Sequence, residues 1–178
     1  MVDDEAVPSP SAAAPADEAT PAKRRLPLII GVAGVVIVLD QLTKAWAVAT
    51  LTDRDIDLFW TLRFHLERNS GAAFSLARGG GGLIAIIALC VVGGLLWFGR
   101  TGTTTVGAVA MGLILGGALG NIVDRFTRDG SAVVDFIDPQ WWPIFNVADI
   151  GVSVGAVLLI LSSLREEKAA TATVTDDP

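Results

Sequence analysis

Four apolar blocks of unequal length decide what this chain can fold into. Between Arg78 and Arg100 lie 21 residues without a charge, and between Arg100 and Asp124 lie 23. A helix of roughly 20 residues crosses the hydrocarbon core of a bilayer, so both blocks can span outright. The other two fall short: Leu26–Leu39 holds 14 uncharged residues and Ile150–Leu164 holds 15. Each spans only by drawing ionisable groups inside, Asp40 and Lys44 for the first and Asp149 for the last. Charge at membrane depth is costly and marks candidate functional sites. With 52% of the 178 residues hydrophobic and a mean hydropathy of +0.57, the expected fold is an all-α membrane protein. Its four transmembrane helices are expected at about 26–50, 82–99, 104–123 and 143–164.

The ends read differently. Residues 1–22 are rich in Ala, Pro and acids, and 166–178 end in Asp176-Asp177. Both are expected to be disordered cytoplasmic tails, because such sequences bury too little apolar surface to order themselves. The first apolar block begins after a 25-residue leader and outruns the apolar core of a signal peptide, so a cleaved signal peptide is not expected. Lys23-Arg24-Arg25 stands directly before that block and places the N-terminus in the cytoplasm. The whole count is less one-sided, with six Lys/Arg inside and seven outside. Four spans return the C-terminus to the cytoplasmic side, and the four-span unit covers 23–165.

In the loop of residues 51–78, Trp60, Leu62, Phe64 and Leu66 alternate with Thr61, Arg63, His65 and Glu67. Period-two alternation predicts a half-buried strand, here a small extracytoplasmic β-sheet between spans 1 and 2. An irregular surface loop is the plainer alternative. Ala108, Gly112, Gly116 and Gly120 recur every fourth residue of the third span and predict a close helix contact. Asp124 continues that row. Trp141-Trp142-Pro143 marks the headgroup level where the fourth span begins.

The chemical inventory is short. Cys90 is the single cysteine and His65 the single histidine, which rules out an intrachain disulfide and a Cys/His zinc cluster. No metal or cofactor is implied. Of the lysines, only Lys44 is near the membrane, and Asp40 four residues earlier is placed to neutralise it. Carboxylates remain. Asn146, Asp149 and Ser153 share one helical face, as do Asn121, Asp124 and Arg125. Asp124 beside Arg125 reads first as a structural ion pair. Asp135 and Asp149 are delivered to one membrane surface by neighbouring segments. Two acids in a low-dielectric site come to share a proton, so one can act as base on a water while the other acts as acid. By residues alone, a proton- or ion-translocating pair fits as well as a hydrolytic one.

A resemblance separates the two readings. Asp40-Gln41-Leu42-Thr43-Lys44, Asn69-Ser70-Gly71-Ala72-Ala73-Phe74, Gly116-Gly117-Ala118-Leu119-Gly120-Asn121 with Asp124-Arg125, Val133-Val134-Asp135-Phe136-Ile137 and Phe145-Asn146-Val147-Ala148-Asp149 resemble the motifs of the lipoprotein signal peptidase family, signal peptidase II. The five occur in the family's order across residues 26–164. The resemblance implies an intramembrane aspartic endopeptidase of the bacterial cytoplasmic (inner) membrane, with its active site at the extracytoplasmic face. Its substrate would be a diacylglyceryl-modified prolipoprotein, cut before the lipidated cysteine. Asp135 and Asp149 would be catalytic, with Asp40, Lys44, Asn69, Gly71, Asn121, Asp124, Arg125 and Asn146 binding substrate or supporting the site. Membrane lipids are the other expected partner, nucleic acid is not one, and the chain is expected to be a monomer.

Overall fold

The structure, a computed structural model, describes residues 25–70, 94, 103–128 and 131–175, with side chains of the last helix through residue 165. Apart from residue 94, the expected span 82–99 lies outside the described residues, as do Gly71 and the leader 1–22. Among the described residues the chain order is α1 (Leu26–Leu51), β1 (Ile56–Phe59), β2 (Leu62–Asn69), α2 (Thr105–Thr127), β3 (Val133–Asp138) and α3 (Val147–Thr175). Three helices among the described residues are long and apolar enough to cross a membrane: α1, α2 and the Val147–Arg165 part of α3.

Each helix begins where its sequence supplies a start. Pro27 opens α1, where a missing N–H costs nothing. Thr104 caps α2, its Oγ1 accepting the Gly107 N–H at 3.1 Å. The fourth expected span starts at Val147 rather than 143 because Asn146 is the cap, which leaves Trp141-Trp142-Pro143 in the preceding loop. At its other end α3 continues to Thr175, past the border expected at 165. Arg165-Glu166-Glu167-Lys168-Ala169-Ala170 is made of good helix formers and contains no breaker.

One stripe of α1, Ile29, Ala33, Val36, Asp40, Lys44, Ala47 and Leu51, is buried at helical spacing. Much of the rest of its surface is apolar and exposed, including Ile30, Val35 and Leu42, as a lipid-facing helix requires. The stripe meets the glycine row of α2. A Cβ on Gly112 would lie 2.7 Å from Val32 Cβ, and one on Gly116 2.7 Å from the Ala33 carbonyl oxygen. The expected close contact is present. Gly117, on the neighbouring face, admits the Ala148 carbonyl and Val152 of α3 in the same way. So α2 is the central helix, packed on α1 with one row of small residues and on α3 with another.

The sheet sits on the C-terminal end of α1. Its described strands run in the order β1-β2-β3, all antiparallel. The sequence placed the whole sheet between the first two spans. The third strand instead comes from the Val133–Asp138 segment between α2 and α3, paired with β2 from Asn69↔Val133 to Arg63↔Asp138. Phe64 on β2 and Phe136 on β3 stack with Trp46 of α1, at ring-centre distances of 5.3 and 6.1 Å from the tryptophan. Val134, Ala47 and Leu51 complete that core. Trp60 is not part of the alternating face. It occupies the turn between β1 and β2 with φ of +52° and an exposed ring.

Candidate active site

The polar residues of all three helices gather where the bundle meets the sheet. Lys44 of α1 is fully buried. Its Nζ lies 2.8 Å from Asp40 Oδ2, 3.0 Å from Asp124 Oδ2 and 2.9 Å from Asn121 Oδ1. Asp40, also without exposure, accepts the Ala148 N–H at 3.0 Å through Oδ1 and so holds the first turn of α3 against α1. Asp124 does the same for β3, accepting the Val134 N–H at 3.0 Å. Its cationic partners are Lys44 and Arg128, whose Nε stands 2.9 Å from Oδ1. The pairing with Arg125 does not form. Adjacent helix residues point apart, whereas Asp124 and Arg128 share a face. Arg125 Nη1 donates instead to the Asn121 carbonyl at 3.0 Å.

Asp135 and Asp149 meet at Asn146. Asn146 Oδ1 accepts the Asp149 N–H at 3.0 Å, and Asp149 Oδ2 accepts the Asn146 N–H at 3.1 Å. This is a reciprocal capping box, which satisfies two N–H groups at the start of α3. The same Asn146 side chain donates through Nδ2 to Asp135 Oδ1 at 2.6 Å. Asn69, at the end of β2, donates to Asp135 Oδ2 at 3.0 Å. Asn121 donates to Asp149 Oδ1 at 2.9 Å, while its own Oδ1 accepts from Asn146 at 3.1 Å. Every carboxylate oxygen of the pair thus has a fixed N–H donor. Burial pushes the Asp135 carboxyl up to about 6, helped by the neighbouring Asp149 and opposed by the donors Asn69 and Asn146.

Asp149 opens onto a cavity of about 300 Å³ lined by Trp142, Phe145, Ile150, Ser153 and Val154. Of the residues singled out in the sequence, Asp40, Lys44, Asn69, Asn121, Asp124, Asp135, Asn146 and Asp149 form one hydrogen-bonded cluster, with Arg125 at its edge. Two others were missed. Gln41 donates to Asp40, to the Gly120 carbonyl and to Asp124 at 3.1–3.2 Å. Arg128 supplies the second cation, and its i,i+4 spacing from Asp124 was the available signal. His65 lies elsewhere, paired with Asp55 at 2.7 Å on the sheet.

These features define a multi-pass membrane protein whose apolar helices converge on a pair of carboxylates, one buried and one open to an apolar cavity. The family profile of signal peptidase (SPase) II matches residues 32–165, and the chain belongs to that family of membrane peptidases. It is 46% identical over 173 residues to the lipoprotein signal peptidase of Mycolicibacterium smegmatis, covering 92% of this chain and 74% of the relative. It is 45% identical over 161 residues to that of Rhodococcus jostii, covering 87% and 80%. A solved structure described as a bacterial membrane enzyme, determined by the in meso method at 1.9 Å resolution, superposes with a TM-score of 0.73 at 30% identity. That match covers 82% of this chain and 97% of the other.

Proposed function

We propose that the chain is an aspartic endopeptidase that removes the signal peptide from diacylglyceryl-modified prolipoproteins, cutting immediately before the lipidated cysteine. The observation that carries this reading is the sharing of Asn146 by Asp135 and Asp149, which holds the two carboxylates together with Asp149 at the cavity. Asp135, the more buried acid, keeps a proton and donates it to the scissile carbonyl oxygen. Asp149, open to the cavity, takes a proton from the attacking water. The water oxygen bonds to the carbonyl carbon and gives a neutral gem-diol. On collapse Asp149 gives its proton to the leaving nitrogen, Asp135 takes one back from a diol hydroxyl and the C–N bond breaks, so both acids return to their starting states and no covalent enzyme intermediate is needed. The fixed amides of Asn69, Asn121 and Asn146 hold the pair in place without reorganisation during the reaction.

The apolar lining of the cavity suits the lipid and the small residues before the cysteine. The sheet that carries Asn69 and Asp135 would cradle the peptide at the outer surface of the inner membrane, with both termini cytoplasmic and the chain acting as a monomer. Asp40, Lys44, Asp124 and Arg125 support the site, and Gly71 lets the substrate backbone approach.

The test is cleavage by purified protein in detergent. Lipidated precursor and the same precursor without lipid are compared for wild type, Asp135→Asn and Asp149→Asn. Wild type is expected to cut the lipidated form alone, and each variant to lose about 10³-fold or more while keeping its melting temperature within a few degrees. Failure of well-folded wild type to cut, or full activity in either variant, overturns the reading.

A further inference from the structure

The Lys44 ammonium has three hydrogens and no acceptor, and the site uses all three, on Asp40, Asp124 and Asn121. Charge balance alone does not require the third bond. Asp40 and Asp124 are already matched by Lys44 and Arg128. What the third hydrogen does is set the direction of an amide. The two ends of an asparagine amide are nearly equal in size, so its partners decide which way it faces. Facing two donors, Lys44 at 2.9 Å and the Asn146 amide at 3.1 Å, Asn121 turns its oxygen to both and its NH₂ to Asp149, 2.9 Å from Oδ1; of the two donors only the ammonium has no acceptor to offer in exchange. The opposite rotamer would set NH₂ against the ammonium and the Asn146 amide and oxygen against the carboxylate, replacing three attractions with three repulsions.

We propose that Lys44 is a positioning residue for the carboxylate pair, a buried donor that locks the Asn121 amide with its N–H on Asp149. Through hydrogen bonds its reach is one-sided, while its charge also favours the Asp135 carboxylate. Asn146 is oriented independently, because its oxygen is taken by the Asp149 backbone N–H at the helix start. Lys44 therefore acts on Asp149 through Asn121, from a point where it touches neither Asp149 nor the cavity lining.

The inference rests on the cleavage reaction proposed above, and its test is a double-mutant cycle on that reaction. Lys44→Met, Asn121→Ala and the double variant are assayed on lipidated precursor, with kcat and KM separated. Each single change is expected to lower kcat about 100-fold, with KM moving less than about threefold. The double variant is expected to be no slower than Asn121→Ala alone, since Lys44 has nothing left to orient. Losses that multiply, or a change confined to KM, overturn the inference. Lys44→Met leaves Asp40 and Asp124 facing each other without their shared cation. If it does not fold, the same cycle is run with Lys44→Gln in an Asp40→Asn background, where the side chain still bonds but no longer dictates direction, and the same criterion applies. A wild-type protein that cuts nothing overturns the proposed function. One that cuts, with losses that multiply, overturns only the role of Lys44.

Discussion

Asn146 serves helix and site at once, and the two services separate by substitution. Serine is a good helix N-cap, so Asn146→Ser should hold the start of α3 to within about 0.5 kcal/mol, whereas Asn146→Ala should cost about 1 kcal/mol. Both lose the amide on Asp135. Thermal melts should therefore distinguish the two variants while cleavage falls alike in both. The pH profile tests Asp135 itself. With its carboxyl pushed up to about 6, the proton needed for donation is present below that pH and lost above it. On the proposed mechanism kcat/KM should fall about tenfold per unit once pH passes about 6. A flat profile across that range would take the proton away from Asp135. Most of the site was legible at this scale, because Asn146, Asp149, Asn121 and Asp135 are polar residues at helical spacing or inside an apolar run. The partners of Asp124 were not. Lys44 comes from a helix 80 residues earlier, beyond the reach of local spacing, and the neighbour Arg125 was a distraction that helix geometry argues against.

At the scale of elements, small residues decide how near the helices come. A Cβ on Gly120 would lie 2.6 Å from Asp40 Oδ2, which would displace the carboxylate from Lys44 and from the start of α3. Gly120→Ala should cost about 1–3 kcal/mol and reduce cleavage. Gly31→Ala, on the same bundle but with nothing within 4 Å, should gain about 0.5–1 kcal/mol. Melting both variants in one detergent makes the comparison. Three of the expected spans and the β1–β2 hairpin were readable from length and alternation. β3 was not, because nearly all of its residues are buried. A strand covered on both faces shows no alternation, only a short apolar run interrupted by acids. Trp60 misled for a different reason. It kept the alternation going through a turn, in a left-handed conformation that costs a bulky side chain about 1–2 kcal/mol.

For the molecule as a whole, the pair is assembled by five of the six described elements. Lys44 comes from α1, Asn69 from β2, Asn121 from α2, Asp135 from β3, and Asn146 and Asp149 from the start of α3. The sheet is joined to the bundle by the Trp46–Phe64–Phe136 cluster, so its tip reports the side on which the site lies. A cysteine in place of Trp60, in a Cys90→Ser background, should react with a membrane-impermeant maleimide added to cells whose outer envelope has been opened. Labelling only after the inner membrane is broken would reverse the proposed orientation.

The capping box has a consequence for inhibition. Asp149 is at once a proposed reacting group and part of the signal that starts its helix, and Asn146 ties that signal to Asp135. A compound that binds both carboxylates would meet residues that cannot be exchanged without loosening the turn that presents them. Resistance would have to arise in the apolar lining, at Trp142, Ile150 or Val154, where a change of shape leaves the acids in place. A compound that takes its affinity from the acids and little from that lining would leave the protein few routes of escape.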